Sequence, residues 1–190
     1  MFRELTAGGA PLRISAGQAR QFLDNIEPDD LVDIERRRIA TEHLADIERI
    51  DGEINAIKQR IADAVTASGT TLTELHGVGP VIAAIVLGQV RDIGRFRTRA
   101  QFANYNGTAP IEASSANTNR HRLNMRGNRA LNHAIHIIAV TQVAHDTPGR
   151  AYYLRKQAEG KTRKEAPRAL KRRISDAVWR QLQIDTHATS

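Results

Sequence analysis

Two adjacent hydroxyls, Ser114 and Ser115, stand in the segment NGTAPIEASSANTNRHRLNMRGNR, residues 106–129, and Arg120, His121, Arg122, Arg126 and Arg129 follow them within fifteen residues. A serine that attacks a phosphodiester needs such company, because its oxygen takes the bond to phosphorus while fixed guanidiniums offset the charge that builds in the transition state. The segment has no hydrophobic period, so a loop is expected, and reactive groups commonly sit on loops held by a rigid scaffold. The same residues also fit an ordinary polar surface loop. The flanking elements have to decide between the two.

Charge is placed unevenly around this segment. Residues 1–116 hold 13 Lys and Arg against 16 Asp and Glu, a net −3, whereas residues 117–180 hold 15 against 4, a net +11. A polycationic block behind a mildly acidic front half points to a nucleic-acid partner, since phosphate contacts release counterions and supply most non-specific affinity. The chain of 190 residues is 41% hydrophobic but only 4% aromatic, which calls for an aliphatic core. The absence of cysteine removes disulfides, thiolate catalysis and cysteine-ligated zinc together. The opening residues lack the apolar run of a signal peptide and no stretch has the length of a membrane span, so a cytoplasmic chain is expected.

The elements that must position the serines read as helices. Residues 1–29, punctuated by Gly8, Gly9, Pro11 and Pro28, suggest a remnant or flexible arm with a short helix near Ser15 to Asn25. From residue 30 to 67 the steps between Ile47, Ile50, Ile54, Ile57, Ile61 and Ala64 alternate between three and four, with Ala40 and His43 carrying the seam backward. That is one long, coiled-coil-like helix, and its stripe must be buried against its own domain or against another helix, including one from a second copy.

Next, Leu72, Leu75, Gly77, Val78, Gly79, Ala83 and Val86 match a helix-hairpin-helix pattern, with Pro80 suited to the first turn of the second helix. Glycines there allow a tight turn, and the unpaired N–H groups that follow could hold a phosphate without reading any base, although a purely structural hairpin fits as well. Thr98 and Asn128 are candidate caps for the helices that flank the serine segment. On the second of these helices, His133 and His136 invite a metal reading that fails for want of a third ligand. Thr162 and Glu165 have capping-box spacing, with Pro167 as an alternative start for the last helix. That helix pairs an apolar stripe, Leu170, Ile174, Val178 and Leu182, with a basic side bearing Lys171, Arg172, Arg173 and Arg180, and residues 184–190 are expected to fray as a tail.

Together, TELHGVGPVIAA, the RF of RDIGRFRTRAQFANYNGTAP, the block ASSANTNRHRLNMRGNRALNHAIHIIAVTQ and HDTPGRAYYLRKQAEGKTRKEA resemble the C-terminal domain of the bridge-RNA-guided insertion-sequence transposases, the family that includes the Piv DNA invertases. The resemblance runs from Leu72 to about Leu182, and the long helix before it resembles that family's coiled-coil segment. It implies a serine that becomes covalently linked to DNA, here Ser115 or else Ser114, and an N-terminal RuvC-like domain whose acidic residues bind Mg²⁺. The family usually places glycine directly after the serine, where this chain has Ala116. No acidic nuclease domain is recognisable before the serines, so a truncated or split transposase, not active alone, is expected.

The expectation is therefore an all-α chain: a long helix over 30–67, then a compact helical domain over 70–183 containing a helix-hairpin-helix. Its expected role is DNA binding in transposition, with Ser115 or Ser114 as nucleophile. Gly77, Gly79, Arg120, Arg122, Arg126, Arg129, Lys171, Arg172 and Arg173 are the expected nucleic-acid contacts. The chain itself is expected to hold no metal. A guide RNA is a further expected partner, and homo-oligomers would form through the long helix. The rival readings are a non-catalytic DNA- or RNA-binding regulator or relic, and a structural oligomerisation module.

Overall fold

The computed structural model describes residues 14–115, 118–122 and 127–188, and of residues 111–122 the backbone alone. The described residues are all-α in class, with seven α-helices carrying two separate cores. The chain divides into two compact units, residues 1–59 and 60–190.

In the first unit, α1 (Ala16–Asn25) is opened by a reciprocal cap: the Ser15 hydroxyl accepts from the Gln18 amide, and the Gln18 side chain accepts from the Ser15 amide. Asp30 accepts from the Asp33 amide at the start of α2 (Leu31–Ala67). Ala19 and Leu23 of α1 close on Ala40 and Leu44 of α2. The buried residue after Ala40 is thus Leu44, and His43, which the heptad reading placed on the seam, is exposed. Further along α2, Ile47, Ile50, Ile54 and Ile57 are between 42% and 51% exposed. Among the described residues this stretch has no apolar cover, and local ion pairs flank it: Arg38 bridges Glu35 and Glu42, and Arg49 bridges Asp46 and Glu53, each one turn away.

The second unit begins with the last turns of α2, where Ile61 and Val65 enter a new core. Gly69, at φ +67°, ends the helix. Asp185 then fixes the turn, accepting from the Thr70 hydroxyl at 2.7 Å and from the Thr71 amide at 3.1 Å. The same contacts explain why residues 184–188 continue as helix where fraying was expected: their carboxylate is anchored to the start of the domain. A 3-10 turn, Leu72–Glu74, leads through Gly77 into α3 (Pro80–Val90). A second 3-10 turn, Ile93–Arg95, precedes α4 (Arg99–Tyr105), which Thr98 caps.

The segment expected to be a loop is a β-ribbon. Strands β1 (Ile111–Ser115) and β2 (Thr118–Arg122) pair antiparallel, with Ser114 opposite Asn119 and Ser115 opposite Thr118. A run of mostly polar residues has no apolar alternation to announce a strand, because that alternation marks a buried face rather than a pairing backbone. Helices α5 (Arg129–Ala144), α6 (Pro148–Ala158) and α7 (Glu165–Ala188) complete the unit. At the head of α7, Thr162 and Glu165 exchange their capping bonds and Pro167 is accommodated within the first turns. Leu170, Ile174, Val178 and Leu182 are all buried against Leu72, Val86, Phe102, Leu131, Ile135 and Ile138. The core is aliphatic apart from Phe96 and Phe102, which meet edge to face at 5.3 Å.

Candidate nucleic-acid interface

The ribbon that carries the serines leaves the helical core through a root made mainly of asparagines and glycines. On the entering side, α4 ends at Asn106, Gly107 takes φ +74°, and the amides of Thr108 and Ala109 both return to the Ala103 carbonyl. The Asn106 side chain is fully buried, and both of its polar atoms are paired. Its oxygen accepts from the Thr108 amide at 3.1 Å and the Thr108 hydroxyl at 2.7 Å, and its nitrogen donates to the buried Ser175 hydroxyl at 2.7 Å. Burying an amide is tolerable only with this degree of pairing.

On the returning side, Gly127 lies against Gly107 so closely that an added Cβ would stand 2.5 Å from the Gly107 nitrogen and 2.6 Å from its Cα. Backbone meets backbone there, and no side chain larger than hydrogen fits. Asn128 donates its amide to the Tyr105 carbonyl at 2.7 Å, and its side chain both caps α5 through the Leu131 amide and donates to Gln89 and to the Tyr105 hydroxyl. Asn132, one turn on, donates to the Asn106 carbonyl at 2.7 Å and accepts from the Lys171 ammonium at 2.7 Å. Helices α4, α5 and α7 thus hold both ends of the ribbon through one connected set of hydrogen bonds.

Cations gather at this root. Lys171 is half-buried, and burial followed by the neighbouring Arg168 pushes its pKa down. His136 is pushed down by burial first, then by Lys171 and His133. The named neighbours are all basic, an arrangement that favours an added anion. Arg129, at the start of α5, is exposed and forms no ion pair among the described residues.

The remaining expected contacts are distributed differently. Arg172 pairs with Asp176 one turn along α7, and the Arg173 guanidinium lies 4.9 Å from the centre of the Tyr152 ring, so both already have protein partners. Gly77, at φ +87°, packs on α5, where an added Cβ would come within 3.1 Å of the Ile138 carbonyl oxygen. Gly79 is exposed, has open space beside it and sits at the N-cap of α3. Ser114, Ser115, Arg120 and Arg122 are located by backbone register only, and Arg126 lies outside the described residues. Among the described residues, no three His, Cys, Asp or Glu side chains gather as a metal ion requires.

Sequence reasoning passed over Asn106, Tyr105, Asn132 and Ser175, and read Asn128 only as a helix cap. A signal for two of them was present: Asn106-Gly107 and Gly127-Asn128 bracket the serine stretch as mirror images. An Asn-Gly step followed at a distance by Gly-Asn suggests two turns that meet.

With this geometry in view, the ribbon and the α4 and α5 sides of its root fall in the stretch that is similar to known proteins. Residues 69–154 match the Transposase IS116/IS110/IS902 family. The chain is also 30% identical over 113 residues to the "Insertion element IS116 uncharacterized 44.8 kDa protein" of Streptomyces clavuligerus, a match covering 59% of this chain and 28% of that protein. It is 35% identical over 116 residues to the "Insertion element IS110 uncharacterized 43.6 kDa protein" of Streptomyces coelicolor, covering 60% and 29% respectively. The chain therefore spans less than a third of the length of these relatives. No helix among the described residues is long and apolar enough to cross a membrane.

Proposed function

We propose that this chain is a DNA-binding transposase domain that offers a ribbon-borne serine to a DNA strand, Ser115 in preference to Ser114. In the proposed step the serine oxygen bonds to phosphorus, one ester P–O bond of the strand breaks, the hydroxyl proton passes to a base, and the departing oxygen takes up a proton. Arg120, Arg122, Arg126 and Arg129 hold the phosphate and its added charge. Gly79 and the first free amides of α3 make a sequence-independent phosphate contact, in the manner of a helix-hairpin-helix. Lys171 acts from the root. A structured guide RNA is proposed as a second polyanionic partner.

The observation that carries this reading is the transposase-family match across the ribbon, combined with a root that fixes both ends of that ribbon to three helices. A reactive group has to be held to well under an ångström, and a β-ribbon clamped at its base meets that need better than a free loop. The resemblance assigns Mg²⁺ to an acidic nuclease domain, so the role proposed for this chain is limited to the serine and the cations around it.

The test is covalent trapping. The chain is mixed with labelled DNA, Mg²⁺ and a RuvC-like domain supplied in trans, and protein–DNA adducts are resolved under denaturing conditions. Ser115→Ala is expected to abolish adducts while duplex binding persists. If adducts survive in the Ser114→Ala/Ser115→Ala double variant, the serine assignment is wrong. If adducts form with neither protein while both bind duplex, the non-catalytic regulator is the better description. A homo-oligomeric assembly through α2 is proposed on a separate observation, the exposed isoleucines of its middle turns.

A further inference from the structure

The mildly acidic front half hides a second concentration of positive charge. Residues 91–99 read RDIGRFRTR, four arginines and one aspartate in nine residues. Arg91, Arg95, Arg97 and Arg99 are all exposed. The segment that bears them is firmly held. Ile93 and Phe96 are buried, the Phe96 carbonyl accepts from the Trp179 indole at 3.2 Å, and the Arg97 amide donates to the Gln101 side chain at 2.9 Å. The one carboxylate, Asp92, accepts from the Gly94 amide at 2.7 Å and caps the 3-10 turn, so it is engaged by backbone. Among the described residues, none of the four arginines forms an ion pair.

Two of these arginines are not explained by local stability. Arg91 has φ +58° and ψ −74°, and the Asp92 amide returns to the Val90 carbonyl at 2.8 Å across it. That is a γ-turn of the strained kind, a conformation open to glycine and costly for a residue with a side chain. Arg99 opens α4, where the unpaired amides of a helix start disfavour a cation. Arg95 is the fixed member, donating to the Val90 carbonyl and lying 5.3 Å from the centre of the Phe96 ring and 5.5 Å from that of Tyr105. Tyr105 is also the residue whose carbonyl and hydroxyl hold Asn128 at the ribbon root. The arginine segment and the root therefore share a side chain.

We propose that Arg91, Arg97 and Arg99, set around Arg95, form a binding surface for the phosphodiester backbone that runs past the ribbon root. Guanidinium forks suit phosphate oxygens, and a held segment presents them at little entropic cost. The proposal rests on the reading of the ribbon as a DNA-contacting element, and the test separates the two.

Full-length chain is titrated into a labelled mixed-sequence DNA duplex and, separately, into an RNA duplex, across a series of salt concentrations. For the Arg91→Gly/Arg97→Gln/Arg99→Gln variant, affinity is expected to fall about tenfold or more, and the log–log salt slope to shrink by roughly 0.9 per lost contact on DNA. Arg91→Gly alone should weaken binding while its melting temperature holds or rises, an outcome a merely structural arginine would not give. Loss on only one of the two duplexes identifies the strand type the surface serves. Unchanged affinity and slope on both, with the melting temperature preserved, overturns the proposal. Arg120→Gln/Arg122→Gln is run in parallel. If that pair loses binding and the triple variant does not, the ribbon reading stands and this one falls. If only the triple variant loses binding, the reverse holds.

Discussion

The ribbon root and the middle of α2 invert the ordinary arrangement of a globular protein in opposite senses. At the root, Asn106 and Ser175 are fully buried and bonded to each other. Along α2, four large isoleucines are roughly half exposed, with arginine–carboxylate pairs nearby. A buried polar group costs free energy unless every bond is made, and an exposed apolar row costs free energy until something covers it. The root has satisfied its requirement within the chain. The stripe has no such cover among the described residues, and so it is the place to look for a second molecule.

The largest expected effect sharpens the first half of this contrast. Gly127→Ala would put a methyl group 2.5 Å from a backbone nitrogen that has no rotamer to move, so the two ends of the ribbon must separate. A loss of about 3 kcal/mol is expected, in the range of substitutions that overpack a rigid contact. Urea titration of the variant against the parent measures it. A loss below about 0.5 kcal/mol, the level of an ordinary surface change, would mean that the root is not rigid.

The second effect tests the other half. Ile50→Glu/Ile54→Glu places two carboxylates in the exposed row. Because these side chains are roughly half exposed, with no cover among the described residues, the unfolding free energy of the monomer should change by less than about 1 kcal/mol, two surface-sized changes. Self-association should be lost, since burying two isoleucines against a partner is worth about 3 kcal/mol. Sedimentation velocity across a concentration series reads the association directly. A parent chain that is monomeric at every concentration would remove the proposed pairing.

Asn106→Ala comes next. It removes the acceptor for Thr108 and leaves the Ser175 hydroxyl buried without its donor, for an expected loss of about 2 kcal/mol. Combining it with Ser175→Ala should cost less than the sum of the two single changes, because the second removes the group that the first left unpaired. Strict additivity in that cycle would show that the bond between them carries no weight.

The contrast also marks what could be read from the sequence. The all-helical class was legible because each helix carries its own local signals: the stripe of Leu170, Ile174, Val178 and Leu182, the Thr98 and Asn128 caps, and the reciprocal Thr162–Glu165 pair. Period alone did not reveal which stripes are covered. The α7 row and the α2 row have the same kind of spacing, yet the first is buried and the second exposed. The serine stretch drew attention by residue type, whereas its support did not. Asn106 meets Ser175 across 69 residues and Asn132 across 26, separations at which no short-range pattern exists. The ribbon was hidden for a related reason, since strands of mostly polar residues leave no apolar alternation to read.

The smallest expected effect links the root to pH. His136 has its pKa held below the ordinary 6.5 by burial first, then by Lys171 and by His133, with Arg168 adding to the positive charge around Lys171. A base with a lowered folded pKa favours its neutral form in the native state. In the unfolded chain it takes up a proton near its ordinary value, so between the two the unfolded state binds more protons. The contribution of His136 is therefore present above about pH 6.5 and is lost as pH falls through its lower folded value. His136→Gln should flatten that part of the stability profile, and the exposure of the ring keeps the change small. Binding of duplex should act the other way, because a phosphate near Lys171 would offset the repulsion and raise the His136 pKa. An NMR titration of the ring protons, free and with DNA, separates the two states. An unchanged His136 pKa in the complex would place the phosphates away from this root.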